Sequence, residues 1–514
     1  MTLYDACKIK TIDLLKSGEF DEIRKNQFSN LSPQIVDYLV EYVFSLTFSD
    51  LPSSEDLHFL LKNHRLRRLD LSCFSIYSLF SIPSLPSSMD VIEADQECNS
   101  FIELLSKETW PDLRSLILPP FAFMHCPPSK LEAFLMTAPN LEYIHVNDNI
   151  DLSMLNNCSK LKNINIHARS DDIDFDELID ILTSLKNIET FEICIDNLAT
   201  YREIKFFATI LKLCPNLISI GNLDSLMVIE YCKKSLSHVG DFKLQKGFWG
   251  KKQIQDNDVY EHLGAFPYTV QFPSMIKTAV SCCPSLKVLE MLVYHKDGLQ
   301  YLNCLYNLTF LCLDFKVCEE SYLDTLLSTL NKIGHQLKHL SINDERPRRM
   351  PVKFPIDGIC DRCVNVESLQ IKGLCTFIDS LEDGSGIRRL RRLFIGDIKS
   401  KDLLLLLKCC LNLTELRVKN FPYFSNSEVR KYFRIHSCWN LRKLCIFNCN
   451  LSSNSLKTLL EASKKLEKVF FPKFLYNISI LDELNREVKF VDNLDKFHDA
   501  VSGFNSCKFN DFNI

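Results

Sequence analysis

The chain has 514 residues, with 60 Lys and Arg against 65 Asp and Glu and a formal net charge of -5. So even a balance excludes, as global properties, a nucleic-acid polyelectrolyte surface and an anionic-membrane anchor. Asp5, Lys8 and Lys10 break the apolar core that a secretory signal would need, and no run of about 18 apolar residues appears later to span a bilayer.

In chain order, the first element is helical. Leu3, Cys7, Thr11 and Leu14 fall on one helical face, broadened by Ile12 and Leu15. A polar stretch, Lys16 to Asn30, leads to a second amphipathic helix with Leu31, Ile35, Leu39 and Val43 at four-residue steps, and Leu57, Leu60 and Leu61 follow. Residues 1–64 therefore read as a helical N-terminal module, at the least a cap over what comes next.

From Leu66 onward one hexapeptide, aliphatic-x-x-aliphatic-x-aliphatic, recurs. Its anchors are Leu66-Leu69-Leu71, Leu113-Leu116-Leu118, Leu141-Ile144-Val146, Leu161-Ile164-Ile166 and Ile188-Phe191-Ile193, then a degraded Leu217-Ile220. It resumes with Leu286-Leu289-Met291, Leu308-Leu311-Leu313, Leu337-Leu340-Ile342 and Val366-Leu369-Ile371. Leu390-Leu393-Ile395, Leu413-Leu416-Val418, Leu441-Leu444-Ile446 and Leu466-Val469-Phe471 complete the series. Outside two longer gaps, first anchors lie 20 to 29 residues apart. Side chains alternate along a strand, so the second and third anchors point inward and their neighbours outward. Between anchors the spacing turns helical, as at Leu323, Leu326, Leu327 and Leu330, and at Leu456, Leu459 and Leu460.

This period and pattern resemble leucine-rich repeats. The resemblance implies an α/β solenoid over residues 65–475, with a parallel β-sheet on the concave face and helices on the convex face, and a C-terminal cap and tail at 476–514. Three buried anchors per repeat contribute roughly 5 to 9 kcal/mol of gross burial before chain entropy is subtracted. The Asn or Cys usual eight residues after the first anchor survives only at Asn149 and Cys449.

Six of the 22 cysteines keep register with this period. Cys158, Cys214, Cys283, Cys363, Cys410 and Cys438 each stand three residues before a first anchor, a slot held elsewhere by Ala138, Gly334 and Ser463. Such a slot asks for a small, buried side chain where helix returns to strand. Cys360-x-x-Cys363 is thereby accounted for without a metal, no second pair follows at ligand spacing, and no cofactor is expected. Unpaired thiols in this number point to a reducing compartment, the cytoplasm or nucleus. No catalytic residues are expected: phosphate-loop, nucleophile-elbow and His-Glu-x-x-His patterns are absent, 14 glycines are too sparse for phosphate cradles, and His145 and His167 read as surface residues of neighbouring strands.

What the repeats offer is a surface. Outward positions in the C-terminal repeats are Arg392, Phe394, Arg417, Lys419, Lys443, Phe447, Lys468 and Phe470; the middle repeats offer Tyr143, His145, Asn163, Asn165, His167, Glu192 and Glu290. The first set is basic with interleaved Phe, suited to an acidic or mixed peptide of a protein substrate. It is too short a stripe for nucleic acid. A solvated face of mixed lateral ladders is the competing expectation. Two stretches interrupt the rhythm. Between Leu217 and Leu286 there is room for two weak repeats, with Leu236-x-x-Val239 a candidate, and a polar segment, Lys243 to His262, carries Phe248-Trp249 and Lys251-Lys252. The other, Asp344 to Pro355, holds Arg346, Arg348, Arg349 and three prolines. Both read as long loops.

Thr2-Leu3-x-x-x-Cys7 resembles the elongin-binding box, Thr/Ser-Leu-x-x-x-Cys-x-x-x-aliphatic, with Thr11 at the last position and Ile12 beside it. Leu31-Ser32-Pro33-Gln34-Ile35-x-x-x-Leu39 resembles the cullin-contacting helix of such receptors, its proline one place late. This order, followed by leucine-rich repeats, is similar to the Zyg-eleven and Zer-one substrate receptors of cullin-2 ubiquitin ligases. The resemblance implies adaptor contacts at Leu3, Cys7, Ile12, Leu31, Ile35 and Leu39, elongin B/C and cullin-2 as partners, and a non-enzymatic substrate-recognition role. The armadillo-like domain of those receptors is not matched here, since repeats continue to about Phe471. The second helix also resembles an F-box start at Leu31, Ile35, Leu39 and Val43, with Ser32 in place of its proline, which implies the Skp adaptor and cullin-1 instead. A plain leucine-rich-repeat interaction scaffold is the alternative to both.

Overall fold

The computed structural model describes residues 66–71, 99–118, 128–147, 152–168, 174–195, 201–221, 224–236, 241–250, 268–315, 320–344, 352–377, 387–420, 440–446 and 465–470, with single positions at 40, 43, 61, 457, 461 and 463. The chain divides into two compact units, Met1–Leu244 with Lys252–Leu263, and Gln245–Lys251 with Gly264–Ile514.

In the first unit five strands pair in chain order, all parallel: β1 (Arg68–Asp70), β2 (Ser115–Ile117), β3 (Tyr143–Asn147), β4 (Asn163–Ala168) and β5 (Thr190–Ile195). A bridge from Thr190 to Ser219 extends the series by one repeat. The second unit holds a ten-stranded parallel sheet, again in chain order. Its strands are β6 (Lys246–Trp249), β7 (Val288–Val293), β8 (Phe310–Phe315), β9 (His339–Asn343), β11 (Ser368–Thr376), β12 (Arg392–Ile398), β13 (Glu415–Asn420), β14 (Lys443–Ile446) and β15 (Lys468–Phe470). The tenth, β10 (Lys353–Pro355), pairs only with the C-terminal part of β11.

Parallel neighbours need a crossover at each step. Helices supply many of them: α1 (Pro128–Met136), α2 (Phe175–Ser184), α3 (Tyr201–Leu213), α4 (Ser225–Ser235), α5 (Tyr268–Cys282), α6 (Glu320–Ile333), α7 (Ile356–Arg362) and α8 (Ser400–Cys409). Elsewhere a 3-10 segment does so, as at Leu152–Asn157 and Lys296–Cys304. α2 shows why such segments form. Asp174 caps it by accepting from the backbone N–H of Asp176 and Glu177 at 3.0 and 3.2 Å, Asp176 and Glu177 favour its positive end, and Phe175, Leu178, Ile181 and Leu182 bury one face.

Every anchor whose side chain is described is buried: first anchors are at most 6 % exposed, second anchors at most 2 %, and third anchors reach 8 % only at Ile193. Second anchors align into continuous rows, Leu69-Leu116-Ile144-Ile164-Phe191 in one sheet and Leu289-Leu311-Leu340-Leu369-Leu393-Leu416-Leu444-Val469 in the other. The fold is therefore that of leucine-rich repeats: parallel sheet, aliphatic rows beneath it, helices behind.

The small-residue slot closes the turn from helix to strand. The N–H of the first anchor donates to its carbonyl, as Leu161 to Cys158 (3.0 Å), Leu217 to Cys214 (3.1 Å), Val366 to Cys363 (3.0 Å) and Leu466 to Ser463 (3.1 Å). One slot abuts the next repeat directly: a Cβ on Gly334 would stand 2.5 Å from the Arg362 carbonyl oxygen and 2.9 Å from Cys363 Sγ. Burial pushes the Cys158 thiol up to about 11 and Cys363 to about 12. Cys438 lies outside the described residues.

An amide ladder stitches the same turns together. The residue just before a first anchor donates to a backbone carbonyl of the preceding repeat: Asn140 to Pro111 (2.7 Å), Asn187 to Ser159 (3.2 Å), Asn307 to Pro284 (3.3 Å), Asn365 to His335 (2.5 Å), Asn412 to Arg388 (2.7 Å) and Asn440 to Leu411 (3.2 Å). At two repeats a lysine holds that place and reaches the neighbouring Asn instead, Lys243 to Asn216 and Lys465 to Asn440, both at 2.9 Å.

Three expectations change. Leu236 is not an anchor: it caps the C-terminus of α4. The repeat lies further on, at Leu244-Gly247-Trp249, so Phe248 and Trp249 belong to β6 and are buried, not carried in a polar loop. A Cβ on Gly247 would lie 3.2 Å from the Trp249 indole nitrogen, so one oversized anchor takes the room left by a missing one. Likewise the end of the Asp344–Pro355 stretch is strand β10. At the N-terminus, Val40 and Val43 are helical and buried and Leu61 is buried; Leu3, Cys7, Ile12, Leu31, Ile35 and Leu39 lie outside the described residues. No helix among the described residues is long and apolar enough to cross a membrane.

Candidate functional site

Alternation along the strands leaves rows of outward side chains between the buried anchors. In the first unit one row runs Arg68, Ser115, Tyr143, Asn163, Thr190 and the next Asp70, Ile117, His145, Asn165, Glu192. Thr190 Oγ1 donates to Asn163 Oδ1 at 2.6 Å. Burial first, and then the charge of Glu192, raises the Tyr143 hydroxyl above its ordinary value. His145 pairs with Asn165 and His167 with Asn147, so the two histidines are set diagonally and not side by side.

The second unit carries the basic set expected from the sequence. Arg392, Glu415, Lys443 and Lys468 share one row; Phe394, Arg417, Cys445 and Phe470 share the next. Lys443 is exposed and Arg392 partly so. Two members differ from expectation. Phe394 occupies its outward position but is only 5 % exposed, flanked in register by Gln370 and Arg417, so it belongs to the floor of the face and not to its contact surface. Arg417 donates through Nε (2.7 Å) and Nη2 to Glu415 Oε1, with both side chains about nine-tenths covered, and its charge is neutralised in place. Lys419, Lys468 and Phe470 lie on strands, with their side chains outside the description, and Phe447 lies outside the described residues altogether.

Sequence reasoning missed a second group on this face. Asn343 Nδ2 donates to Asp314 Oδ1 and lies 3.7 Å from Cys312 Sγ, while Asn343 Oδ1 accepts from Gln370 Nε2 at 3.1 Å and from Ser341 Oγ at 3.3 Å. The network spans β8, β9 and β11 and fixes each side chain through its neighbour. Its signal is a run of polar residues at outward places of three consecutive repeats, whose mutual bonding emerges only once the strands are paired. Beside it stands His339, whose imidazole is brought down to about 4 by burial, then by Arg392 and Lys338; it is uncharged at neutral pH.

Chemically the face offers charged and hydrogen-bonding side chains. Among the described residues no group of three or more His, Cys, Asp or Glu is placed to hold a metal ion. The thiol of Cys445 in the outward row is pushed up to about 12, chiefly by burial, so it is protonated at neutral pH and no nucleophile.

No family model matches the chain, and no curated protein does. Among solved structures it is similar to a leucine-rich-repeat protein of Leptospira interrogans (14 % identity, 79 % of this chain and 95 % of that one, TM-score 0.30). It is similar also to the Rad7 and Elc1 complex of yeast (13 %, 96 % and 99 %, TM-score 0.38) and to the leucine-rich-repeat protein LegL7 of Legionella pneumophila (14 %, 71 % and 95 %, TM-score 0.29). Similarity at this level identifies neither a family nor a partner; strand pairing and anchor burial make the chain a leucine-rich-repeat protein by fold.

Proposed function

We propose that the outward face of the sheets binds protein and that the chain is a non-enzymatic leucine-rich-repeat interaction scaffold. The observation that carries this reading is the array on the ten-stranded sheet, where Glu290, Asp314, Asn343, Arg392 and Lys443 project from paired strands over a hydrogen-bonded floor. Groups held by strands and by one another lose little freedom on binding, which favours affinity and discrimination. Reversing Arg392→Glu with Lys443→Glu should weaken capture of the cognate partner from the source cell at least tenfold by quantitative mass spectrometry, with Asp324→Lys on the helical side as the unaffected control. Equal capture by all three proteins contradicts it.

A second reading gives this scaffold a place in a cullin-RING ligase, with residues 1–64 docking an adaptor and the sheet presenting a substrate. Its support is the sequence Thr2-Leu3-x-x-x-Cys7 and the helix from Leu31. Such a receptor makes no bond itself; it raises the effective concentration of substrate lysines near a charged ubiquitin carrier. Leu3→Ala with Cys7→Ala should abolish copurification of elongin B and C with the fold intact. Capture of the Skp adaptor selects the F-box form instead, and capture of neither leaves the plain scaffold.

A further inference from the structure

Charge is not spread evenly over the outward face of the second unit. On β7 and β8 the outward side chains are Val288, Glu290, Leu292, Phe310, Cys312 and Asp314, so both charges there are negative. Asp314 is held by Asn343, a neutral amide that leaves its negative charge uncancelled. β9 offers the uncharged His339, Ser341 and Asn343. From β11 onward the sign changes: Lys372, Arg392 and Lys443 are cations, while Glu415 is matched within its own strand by Arg417. Three charges stand off this division: Lys246 on β6 beyond the acidic pole, Lys353 on β10 beside the C-terminal part of β11, and Asp397 near the C-terminal end of β12. Between the poles the floor is neutral, with Ser341, Gln370 and Phe394 in one row.

We infer that the segment bound by this face is an extended, charge-segregated peptide lying across the strands, its basic end over β7 and β8 and its acidic end over β12 to β14. This rests on the protein-binding reading above. Neighbouring strands are about 4.8 Å apart, so Asp314 and Arg392, three strand steps apart in the sheet order, are separated by about 14 Å, and Asp314 and Lys443, five steps apart, by about 24 Å. An extended chain advances about 3.3 Å per residue, so the peptide's two charged ends stand about four to seven residues apart. A peptide with the same charges interleaved sets like against like at both poles, the arrangement that electrostatic complementarity rejects.

The test uses the full chain and two labelled synthetic peptides of identical composition, followed by fluorescence anisotropy at low salt. One carries two lysines and two glutamates at opposite ends of a spacer of about five Gly and Ser residues; the other alternates the charges. The segregated peptide should bind about tenfold more tightly, and Glu290→Lys with Asp314→Lys should erase that advantage while the chain still unfolds cooperatively. Arg392→Gln, a milder change, should lower the advantage in part. Equal binding of both peptides, with both weakened by Arg392→Gln, overturns the segregated arrangement but keeps the face as a protein-binding surface. Binding indifferent to every one of these substitutions, or no binding by either peptide, overturns the inference, and persistence of partner capture with Arg392→Glu and Lys443→Glu then overturns the surface as well.

Discussion

His339 stands in the row with Arg392 and loses basicity through burial, to about 4 against an ordinary 6.5. Between those values the unfolded chain takes up a proton that the folded chain refuses, so folded stability is lost as pH falls from 6.5 towards 4 and is unaffected above that window. His339→Gln should remove about 2 kcal/mol of the stability difference between pH 7 and pH 4.5. Urea midpoints at the two values check it; equal pH dependence in both proteins contradicts the buried imidazole. Much at this level was legible beforehand. The cysteine slot was read from spacing, since Cys, Ala, Ser and Gly recur there, and Gly334 against Cys363 shows a tight contact at one repeat. Trp110, Leu185 and Leu305 fill the same place in others, so the turn also admits a large buried side chain, which the spacing did not tell. Exposure was not legible: Phe394 takes an outward position, yet whether it is covered depends on how the side chains of the adjacent repeats, Gln370 and Arg417, fold over it.

The repeats themselves were legible wherever three aliphatic anchors survive, since period and alternation both follow from backbone geometry. Leu244-Gly247-Trp249 escaped because its volumes are exchanged between anchors, and a template that asks for Leu rejects both Gly and Trp. The exchange makes a sharp prediction. Gly247→Leu overfills the site and Trp249→Leu empties it, each costing about 2 to 3 kcal/mol, whereas the double change restores the ordinary anchor set and should cost clearly less than the sum. A strictly additive double-mutant cycle contradicts the exchange. The amide ladder escaped for a different reason: its donors precede the first anchor, whereas the usual place follows the strand. Asn412→Ala removes one bond to the Arg388 carbonyl and should cost about 1 kcal/mol in chemical denaturation, with no loss contradicting a stitching role. Leu393→Asp, by contrast, puts a carboxylate where 1 % of the side chain meets solvent and should abolish the cooperative unfolding of the second unit.

On the protein-binding reading proposed above, the chemistry that the two sheets display is uneven: amide, hydroxyl, imidazole and one carboxylate group on β3 to β5, an acidic pole and then a basic one on β7 to β14. The sequence announced the basic pole because its cations sit in consecutive well-formed repeats. It hid the acidic pole, since Glu290 and Asp314 occupy different rows and join one surface only once β7 and β8 are paired. A photo-crosslinking amino acid placed in the full chain within the source cell tests the display most directly, at Asp314 and Lys443 on the sheet against Asp324 and Lys401 on α6 and α8. Crosslinks to one common partner from the sheet positions, and none from the helices, are the predicted result. Crosslinks to that partner from the helical positions alone would contradict the account.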